Sequence, residues 1–356
     1  MRIALIGDGD SPHLLKWARA LASAGVELWV ASSRGFLPGF DGIVPVDRRL
    51  ALDTRPRPAG GNLALLRTLP RLGRWLKRVD ADWLNPHYLT SHGTLAWLAS
   101  RGWRLRAGIV GSAWGTDILV TPQRSFAYRW LTSRVLRACR LATSDSAHMT
   151  GRMQALGAGE VMTFPFGLER LPPAPAEAKS PWLFFANRAL EPLYRPERVL
   201  ALFARVAAQR PEARLVVANT GSLLPALQAR AQALGLADGV IRFVGMVDQA
   251  TQAAWYDRAQ WYLSLPASDS VSVSVLEAMA HGCIPVLSDL PANRELVRHG
   301  VNGLIAVDDA DPMPTWTALL PHAARIASDN RGWIEAHGLF APAVGRLLER
   351  LERLSR

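Results

Sequence analysis

Two carboxylates, Asp269 and Glu277, are separated by seven residues at the start of a predicted helix in the segment ASDSVSVSVLEAMAHGC. Gly282 is expected to end that helix. The first N–H groups of a helix have no partner within it, and the helix dipole makes that end positive, so a diphosphate fits there. Glu277 can accept hydrogen bonds from a ribose diol, and Asp269 can reach a sugar hydroxyl. The residues whose backbone would face the diphosphate are Ser270, Val271, Ser272, Val273 and Ser274.

The same pair also has a purely structural interpretation. Asp269 would then cap the N-terminus of the helix, and Glu277 would lie on its exposed face without a ligand. The two carboxylates by themselves do not separate these interpretations, which depend on what surrounds them.

Strand-like and helix-like segments alternate along the chain. Residues 3–7 are an apolar run that ends in a glycine-containing turn, and a helix-like pattern and a strand-like run at Glu27–Ala31 follow. The second half repeats this order, with helices predicted at Pro196–Gln209, Leu223–Leu234 and Gln249–Ala259. Such alternation is typical of an α/β fold with doubly wound parallel sheets.

The chain length and one linker-like stretch predict two domains. A chain of 356 residues is long for one compact domain. The stretch 171–181, LPPAPAEAKSP, is rich in Pro and Ala and continues neither a helix nor a central strand. We therefore predict a first domain at 1–170, a linker at 171–181, a second domain at 182–330, and C-terminal helices at 331–356 that can pack back on the first domain.

The composition excludes several classes of protein. With 49% hydrophobic and 20% charged residues, the chain is expected to be globular. The N-terminus lacks the length and flanks of a secretory signal, and no window of about 18 apolar residues predicts a membrane-spanning helix. Cys139 and Cys283 lie far apart in apolar stretches, so we expect two buried thiols and no metal site. These features predict a cytoplasmic protein.

The formal charge of +11 implies a polyanionic partner. Leucines and Trp75 alternate in the stretch 62–78 with five cations, Arg67, Arg71, Arg74, Lys77 and Arg78. This pattern predicts an interfacial helix, broken near Pro70, on the anionic inner leaflet of a membrane. The alternative is an ordinary core helix with a solvated basic side. No recognised nucleic-acid-binding motif is present in the sequence.

The whole segment from Asp269 to Gly303 resembles the signature of the retaining glycosyltransferases of family 4. The family pattern is a carboxylate, seven residues, Glu-Ala-Met-Ala and Gly, a Pro-Val strand, a Glu-Leu/Ile-Val turn and Asn-Gly-Leu. The matching positions are Glu277, Ala278, Met279, Ala280, Gly282, Pro285, Val286, Glu295, Asn302 and Gly303. The resemblance implies a GT-B fold, in which two Rossmann-like doubly wound domains face each other across a cleft. It also implies a nucleoside diphosphate sugar as co-substrate, with no cofactor and no metal ion.

Other donor-site positions follow from the same resemblance. The turn containing Gly9 is similar to the family's first glycine turn, where it would let the chain approach the donor phosphates; a simple tight turn is the alternative. The stretch FVGMVDQATQAAWYDRAQ resembles the family segment against the base, with Gly245 and Met246 near it. Asp269 stands where the family more usually has Glu.

The cations of the second domain depart from the family pattern. Family members commonly carry Arg-x4-Lys after the first strand of this domain, and the two cations balance charge as the diphosphate leaves. Arg188 is in place, but Leu193 stands where the Lys would be. Arg195 lies two residues beyond and is a candidate substitute, since a guanidinium can bind phosphate in a bidentate manner.

In the first domain, Trp114 stands where many relatives have a histidine. Tryptophan cannot accept a proton, so that contribution is absent or comes from another group, such as His87 at the end of the strand WLNPH. Asp117 is a candidate contact for the acceptor hydroxyl. Both residues can also be structural, as a lone histidine more often is.

The resemblance implies a retaining, metal-independent glycosyltransferase that uses a UDP- or GDP-sugar and a lipid-linked or saccharide acceptor, in cell-surface polysaccharide or lipopolysaccharide biosynthesis. The expected location is the cytoplasmic face of the inner membrane. A sugar-nucleotide epimerase of the same architecture is one alternative. A non-catalytic basic protein that binds membrane or nucleic acid is another, but it leaves the carboxylate segment unexplained.

Overall fold

The computed structural model describes residues 1–54, 63–236, 239–306, 311 and 313–356. These residues form two compact units. The first unit contains Met1–Pro165 and Phe340–Arg356, and the second contains Phe166–Leu339. Each unit is built around one parallel sheet.

The described strands of the first unit are β1 (Arg2–Gly7), β2 (Glu27–Ser32), β3 (Arg49–Ala51), β4 (Trp83–Pro86), β5 (Gly108–Ser112), β6 (Leu141–Ser144) and β7 (Val161–Thr163). They lie in the order β3-β2-β1-β4-β5-β6-β7, and neighbouring strands pair in parallel. The order reverses between β1 and β4. Their carboxyl ends therefore form a topological switch point, where sheets of this kind bind ligands.

The described helices of the first unit are α1 (Pro12–Ser23), α2 (Leu63–Leu66), α3 (Leu69–Val79), α4 (Thr94–Gly102), α5 (Thr121–Arg124), α6 (Phe126–Ala138), α7 (Ala147–Ala155) and, at the C-terminus, α15 (Phe340–Ser355). Ser11, Ser125 and Ser146 cap α1, α6 and α7, because each hydroxyl accepts a backbone N–H of the first turn.

Helix α3 belongs to the stretch that was predicted to lie on a membrane. Its apolar side, with Leu72, Trp75 and Leu76, is buried in one cluster with Ile6 and Leu84 of the sheet. This side is not available to a bilayer, so the expectation of an interfacial apolar face is wrong for α3. The exposed side carries Arg71, Arg74, Lys77 and Arg78, as in a core helix with a solvated basic side. Residue 62 lies outside the described residues, as do the side chains of 63 and 64.

The described strands of the second unit are β8 (Ser180–Ala186), β9 (Arg214–Ala218), β10 (Ile241–Gly245), β11 (Ala259–Ser264), β12 (Ile284–Ser288) and β13 (Leu304–Ala306). Their order is β10-β9-β8-β11-β12-β13, with parallel pairing throughout. The order reverses between β8 and β11, which is the switch point of this sheet.

The described helices of the second unit are α8 (Pro196–Gln209), α9 (Leu224–Ala233), α10 (Gln249–Arg258), α11 (Val273–Ala280), α12 (Pro291–Leu296), α13 (Met313–Leu319) and α14 (Ala323–His337). Phe184 packs with residues of α8 on one face of the sheet, whereas Phe185 packs with residues of α11 on the other. A strand covered on both faces needs a continuous apolar run, which the sequence of β8 supplies. No helix in the described part of the chain is long and apolar enough to span a bilayer.

The division between the units lies earlier than the predicted boundary after residue 170. The first unit ends at Pro165, and Phe166 already belongs to the second. The Leu168 N–H donates to the Gly338 carbonyl at 2.8 Å, which ties this segment to the end of α14. The predicted linker 171–181 runs into β8 by two residues.

The predicted C-terminal segment 331–356 is divided between the units. The end of α14 stays in the second unit, whereas α15 belongs to the first. Phe340 contacts the buried Trp17 of α1 edge to face, with 4.9 Å between the ring centroids. Arg350 donates two hydrogen bonds of 2.7 and 2.6 Å to the Glu160 carboxylate.

Replacing Gly167 by alanine is expected to destabilise the second unit. An added Cβ would lie 1.8 Å from the Gly338 carbonyl oxygen, so the backbone must shift, at a cost of about 1–3 kcal/mol. Gly332→Ala is the matched control, because Gly332 lies within α14 with open space around it, and alanine should stabilise a helix there by about 0.5–1 kcal/mol. Urea unfolding should move the midpoint in opposite directions for the two variants; a shift in the same direction would contradict this reasoning.

Candidate active site

The switch point of the second sheet brings together residues that are distant in sequence. Asn187 and Arg188 directly follow β8, and the loop that carries Asp269 connects β11 to α11. β8 and β11 are neighbours and run in parallel, so their carboxyl ends meet at one edge of the sheet. The predicted residues Arg188 and Asp269 therefore lie side by side.

Arg188 and Asp269 form an ion pair, with 2.8 Å between Nη2 and Oδ2. The two side chains are 18% and 23% exposed. Burial raises the pKa of Asp269 above its ordinary value, because the nearby guanidinium offsets only part of that effect. Burial works against the charge of Arg188, but Asp269, Tyr262 and Tyr194 together outweigh it and raise the pKa of the guanidinium. The site therefore keeps one fixed positive charge.

Three further contacts orient the Arg188 guanidinium. Its Nη1 donates to the Ser272 hydroxyl and, at 3.4 Å, to the Ser274 hydroxyl. Its central carbon lies 4.5 Å from the centroid of the Tyr194 ring, a distance typical of a cation–π contact. The cation is thus held against the first turn of α11.

The start of α11 combines anchored valines with buried and half-buried serines. Val271 is buried and Val273 packs against the same core cluster, so both fix the backbone of the turn. Ser270 is also buried, and its N–H donates to Asp269 Oδ1 at 3.0 Å. The amides of Val275 and Leu276 bond the Ser272 carbonyl. The amides before them have no carbonyl within the helix to bond, which is the arrangement that favours an anion.

Glu277 lies one turn into α11 and is half-buried. Its Oε2 accepts hydrogen bonds from Gln252 Nε2 at 3.2 Å and from the Tyr256 hydroxyl at 3.3 Å. Two neutral donors thus orient the carboxylate that was predicted to bind a ribose.

A buried network behind these groups escaped the sequence analysis. The Tyr262 hydroxyl lies 2.6 Å from Asn187 Oδ1 and 2.9 Å from Ser274 Oγ, and Asn187 Nδ2 donates to the Tyr256 hydroxyl at 2.8 Å. Burial raises the pKa of both tyrosines, so they remain protonated. The network joins four elements, and its only sequence signal is Asn187, which is polar and follows directly on the apolar run of β8.

Gly245 and Met246 lie at the carboxyl end of β10, two strands from β8. Gly245 has φ +69°, a conformation that favours glycine, and its carbonyl accepts the Asn219 N–H at 2.6 Å. Met246 is 70% exposed. Their predicted place beside a base stays a prediction.

Arg195 is exposed at the start of α8. It lines a hollow of about 290 Å³ with Arg198, Asp289 and residues that follow β11. Leu193, which replaces the family's lysine, accepts the Ala267 N–H at 2.8 Å and thereby joins the loops after β8 and β11. The structure places Arg195 in this hollow, whereas Arg188 lies in the cluster at α11.

His87 is buried at the switch point of the first sheet, and both of its ring nitrogens are occupied. The Trp114 indole N–H donates to Nδ1 at 3.0 Å, so Nε2 carries the ring proton and donates to Asn85 Oδ1 at 3.2 Å. Burial, reinforced by His92 and His13, holds the pKa of His87 well below its ordinary value. A neutral ring with no free nitrogen argues against the predicted role in proton transfer, and we assign His87 to structure.

Asp117 is 2% exposed and ties two loops together. Its oxygens accept the Leu89 N–H at 2.7 Å and the Trp114 N–H at 2.9 Å. Burial raises its pKa to about 6, although these hydrogen bonds oppose the shift. Both oxygens are engaged with the backbone, which argues against the predicted contact with an acceptor hydroxyl.

Gly9 follows β1 and packs against the loop after β2. An added Cβ would lie 2.6 Å from the Gly35 carbonyl oxygen and 2.8 Å from Ser32 Oγ. The Gly9 N–H donates to Ser32 Oγ at 2.8 Å. Close packing within the first unit therefore explains the glycine, as in the alternative of a simple tight turn.

Asp8 and His92 also meet at this switch point, and the sequence analysis missed them. His92 Nδ1 is 2.8 Å from the His87 carbonyl and carries a proton, while its Nε2 lies 3.5 Å from Asp8 Oδ1. The Ser33 hydroxyl donates to the same carboxylate. Burial opposes the charge of Asp8, but His92, Ser33 and Arg34 together lower its pKa. The sequence signal was an aspartate directly after the first strand.

Metal and thiol chemistry find little support in the residues that the structure describes. No group of three or more His, Cys, Asp and Glu side chains there could hold a metal ion. Cys139 and Cys283 are free thiols, and burial raises their pKa to about 12 and about 11. Neither is a thiolate at neutral pH.

Comparison with protein families identifies both halves of the chain. Residues 181–320 match the family described as glycosyl transferases group 1, and residues 2–146 match the family described as glycosyl transferase 4-like. The phosphatidyl-myo-inositol mannosyltransferase of Mycolicibacterium smegmatis is 30% identical over 364 aligned residues, which cover 97% of this chain and 86% of that protein. The D-inositol 3-phosphate glycosyltransferase of Thermobispora bispora is 32% identical over 209 residues, 50% of this chain and 46% of the relative.

Solved structures with the same fold extend over nearly the whole chain. Anabaena HepE in complex with UDP-glucose has a TM-score of 0.78 at 14% identity and covers 99% of this chain and 100% of its own. The apo form of the lipopolysaccharide outer core galactosyltransferase WaaB has a TM-score of 0.70 at 15% identity and covers 98% and 99%. At these identities the likeness concerns the fold, and it confirms the predicted GT-B class with two Rossmann-like sheets.

Asp117 should make the stability of the first unit depend on pH. Its pKa rises from the ordinary 3.8 to about 6 on folding, so the folded state binds the proton more tightly. Stability should therefore fall by about 3 kcal/mol as the pH rises from about 4 to about 6, and then level off. Asp117→Asn should remove that slope, and it should cost about 1–3 kcal/mol at pH 4 because one backbone N–H loses its acceptor. Unfolding curves of both proteins from pH 4 to 8 would test this, and parallel pH profiles would refute it.

Proposed function

The chain belongs to glycosyltransferase family 4, and on that basis we propose that it transfers a glycosyl group from a nucleoside diphosphate sugar to a lipid-linked or saccharide acceptor, with retention at the anomeric carbon. The observation that carries the proposal is the Arg188–Asp269 pair against the first turn of α11. A fixed cation and the first-turn amides of a helix at a switch point form a site for a diphosphate.

The donor would bind along α11. Its diphosphate would face Arg188 and the amides of residues 270–274, and its ribose diol would donate to Glu277, which Gln252 and Tyr256 already orient. Asp269 would exchange part of its contact with Arg188 for a hydroxyl of the donor sugar. Hydrogen-bond donors of the protein that are already in place before the reaction need no reorganisation when negative charge develops on the diphosphate.

In the proposed reaction, the bond between the anomeric carbon and the phosphate oxygen breaks as the acceptor oxygen bonds to the same face of that carbon. The acceptor proton passes to the departing phosphate, so no side chain has to act as the base. This route agrees with the engaged nitrogens of His87 and the engaged oxygens of Asp117. Arg188 stabilises the negative charge that collects on the leaving diphosphate, and the scheme requires neither a cofactor nor a metal ion.

The proposed donor is a UDP- or GDP-sugar. HepE, which shares the fold, was solved with UDP and with UDP-glucose, and relatives over most of the chain are named mannosyltransferases. These names support a hexosyl donor.

The proposed acceptor is a lipid-linked or saccharide hydroxyl, in cell-surface polysaccharide or lipopolysaccharide biosynthesis. Relatives are named for phosphatidyl-myo-inositol and, in Streptococcus pneumoniae, for α-monoglucosyldiacylglycerol synthesis. WaaB is named for the lipopolysaccharide outer core. We place the enzyme in the cytoplasm, peripheral to the inner membrane, with the basic side of α3 within the stretch 62–78 attracted to anionic lipid.

The function can be tested by a screen of UDP-, GDP- and ADP-sugars for thermal stabilisation, followed by turnover with and without detergent-solubilised lipid acceptors and with and without EDTA. We expect one nucleotide family to stabilise the protein and its diphosphate to be released only with acceptor, with the anomeric configuration retained by NMR. Conversion of the donor sugar without acceptor would instead identify an epimerase. No stabilisation by any donor would refute the proposal.

Glu277→Gln should weaken donor binding about tenfold to a hundredfold, because it removes a charged acceptor from the ribose diol. Isothermal titration with the stabilising nucleoside diphosphate measures this. Glu335→Gln on α14 of the same unit is the matched control, since Glu335 is exposed, and its affinity should be that of the unaltered protein. If Glu277→Gln and Glu335→Gln bind the nucleoside diphosphate with equal affinity, Glu277 has no role in binding the ribose.

Arg188→Gln should lower kcat by about a hundredfold to a thousandfold, as expected when one group that stabilises a developing oxyanion is lost. The change leaves Asp269 buried without its partner, so the double variant Arg188→Gln/Asp269→Asn, compared with Asp269→Asn alone, separates stability from the catalytic contribution of Arg188. We expect it to recover thermal stability but not kcat. Arg195→Gln serves as the cation control. A loss of kcat in Arg195→Gln as large as that in Arg188→Gln would identify Arg195 as the catalytic cation instead.

A further inference from the structure

Helix α6 of the first unit exposes two aromatic side chains. Phe126 is 82% exposed and Trp130 is 47% exposed, and they are the only exposed aromatic residues in the part of the chain that the structure describes. The opposite side of α6 is anchored, because Thr132, Val135 and Leu136 are buried. Burial within the unit therefore does not account for Phe126 and Trp130.

Helical periodicity places a cation on the same side as the two aromatic rings. Phe126, Trp130 and Arg134 follow one another at intervals of four residues, which aligns them along one side of the helix. The Arg134 guanidinium carbon lies 5.3 Å from the centroid of a Trp130 ring. We call this side of α6, with the exposed Arg129 beside it, the α6 face.

The surroundings of the α6 face are strongly basic. From 63 to 140 the sequence has thirteen arginine and lysine residues against three aspartates, of which Asp117 is buried. The connections from β3 through β4 and β5 to β6 all advance in one direction along the sheet, so right-handed crossovers put α3, α4 and α6 in one layer. α4 packs against both α3 and α6. The exposed cations of α3 thus belong to the same side of the unit.

We propose that the α6 face docks on an anionic phospholipid bilayer, with Phe126 and Trp130 inserted at the level of the headgroups and Arg129 and Arg134 bonded to lipid phosphates. Aromatic rings are favoured at that depth, and clustered arginines add attraction to anionic lipid. The buried apolar side of α3 cannot insert, so α3 contributes charge while α6 contributes insertion. The inference rests on the membrane location proposed above and deepens it by naming the inserting residues, and it requires no donor or acceptor.

The test is co-sedimentation of the full chain with vesicles of phosphatidylglycerol and phosphatidylcholine, and of phosphatidylcholine alone, at physiological salt. We expect binding to the anionic vesicles, reduced at least about tenfold in Phe126→Ala/Trp130→Ala. The control is Val46→Ala, which removes a 77% exposed apolar side chain from the same unit and should bind like the unaltered protein. Thermal unfolding would confirm that each variant is folded.

Insertion has its own readout. A polarity-sensitive dye on Phe126→Cys should shift to the blue with anionic vesicles, whereas the dye on Val46→Cys should not. The proposal is overturned if the unaltered protein does not bind anionic vesicles. It is equally overturned if Phe126→Ala/Trp130→Ala binds them as well as Val46→Ala does, while a variant lacking the α3 cations does not bind. It is also overturned if the aromatic change only dissociates a homodimer or only weakens binding to RNA. Donor binding and turnover with a soluble acceptor are separate measurements, so failure here leaves the proposed glycosyl transfer standing. Failure of the unaltered protein to bind would also remove the proposed membrane location.

Discussion

The reversal of strand order between β8 and β11 is the constraint on which the proposed donor site depends. Right-handed crossovers send α8 and α11 to opposite faces of the sheet, as their separate packing against Phe184 and Phe185 shows. Neither connection covers the carboxyl ends of the two strands. The sheet therefore opens at the one place where Arg188 and the first turn of α11 emerge, and every polar contact of the site is built around that opening.

Charge balance explains why the site is so densely bonded. A half-buried guanidinium loses much of its hydration, and Asp269, two serine hydroxyls and the Tyr194 ring replace that solvation. The groups behind them are neutral, since burial keeps the two tyrosines protonated. The charges of Arg188 and Asp269 therefore lie in front of a neutral network, while neutral donors hold Glu277 in position.

The first unit has the same kind of opening, but its buried polar groups bond to one another and hold loops in place. Trp114 replaces a histidine that the family pattern places there, and its indole N–H and backbone N–H bond His87 and Asp117. All three residues hold loops at the carboxyl edge of the sheet. Asp8 and His92 lie 3.5 Å apart beside the turn after β1. Away from the carboxyl edge of the sheet, the layer formed by helices α3, α4 and α6 carries most of the excess positive charge of this unit.

The sequence by itself determined the fold class, the order of elements and the family, and it predicted the centre of the proposed donor site. Alternating patterns predicted Pro196–Gln209 to the residue, and the segment from Asp269 to Gly303 identified the family, because helix starts, strand runs and motif spacings are local properties of a chain. It also paired Arg188 with that segment through the family pattern. Only the tertiary structure decided which polar residues are engaged. His87 and Asp117 are occupied by partners from other loops, Glu277 is oriented by Gln252 and Tyr256, and the apolar sides of α3 and α6 are buried while Phe126 and Trp130 remain exposed. Such facts depend on contacts between residues far apart in sequence, and no spacing along the chain records which side of a helix meets the core or which hydrogen bond a buried atom has already made.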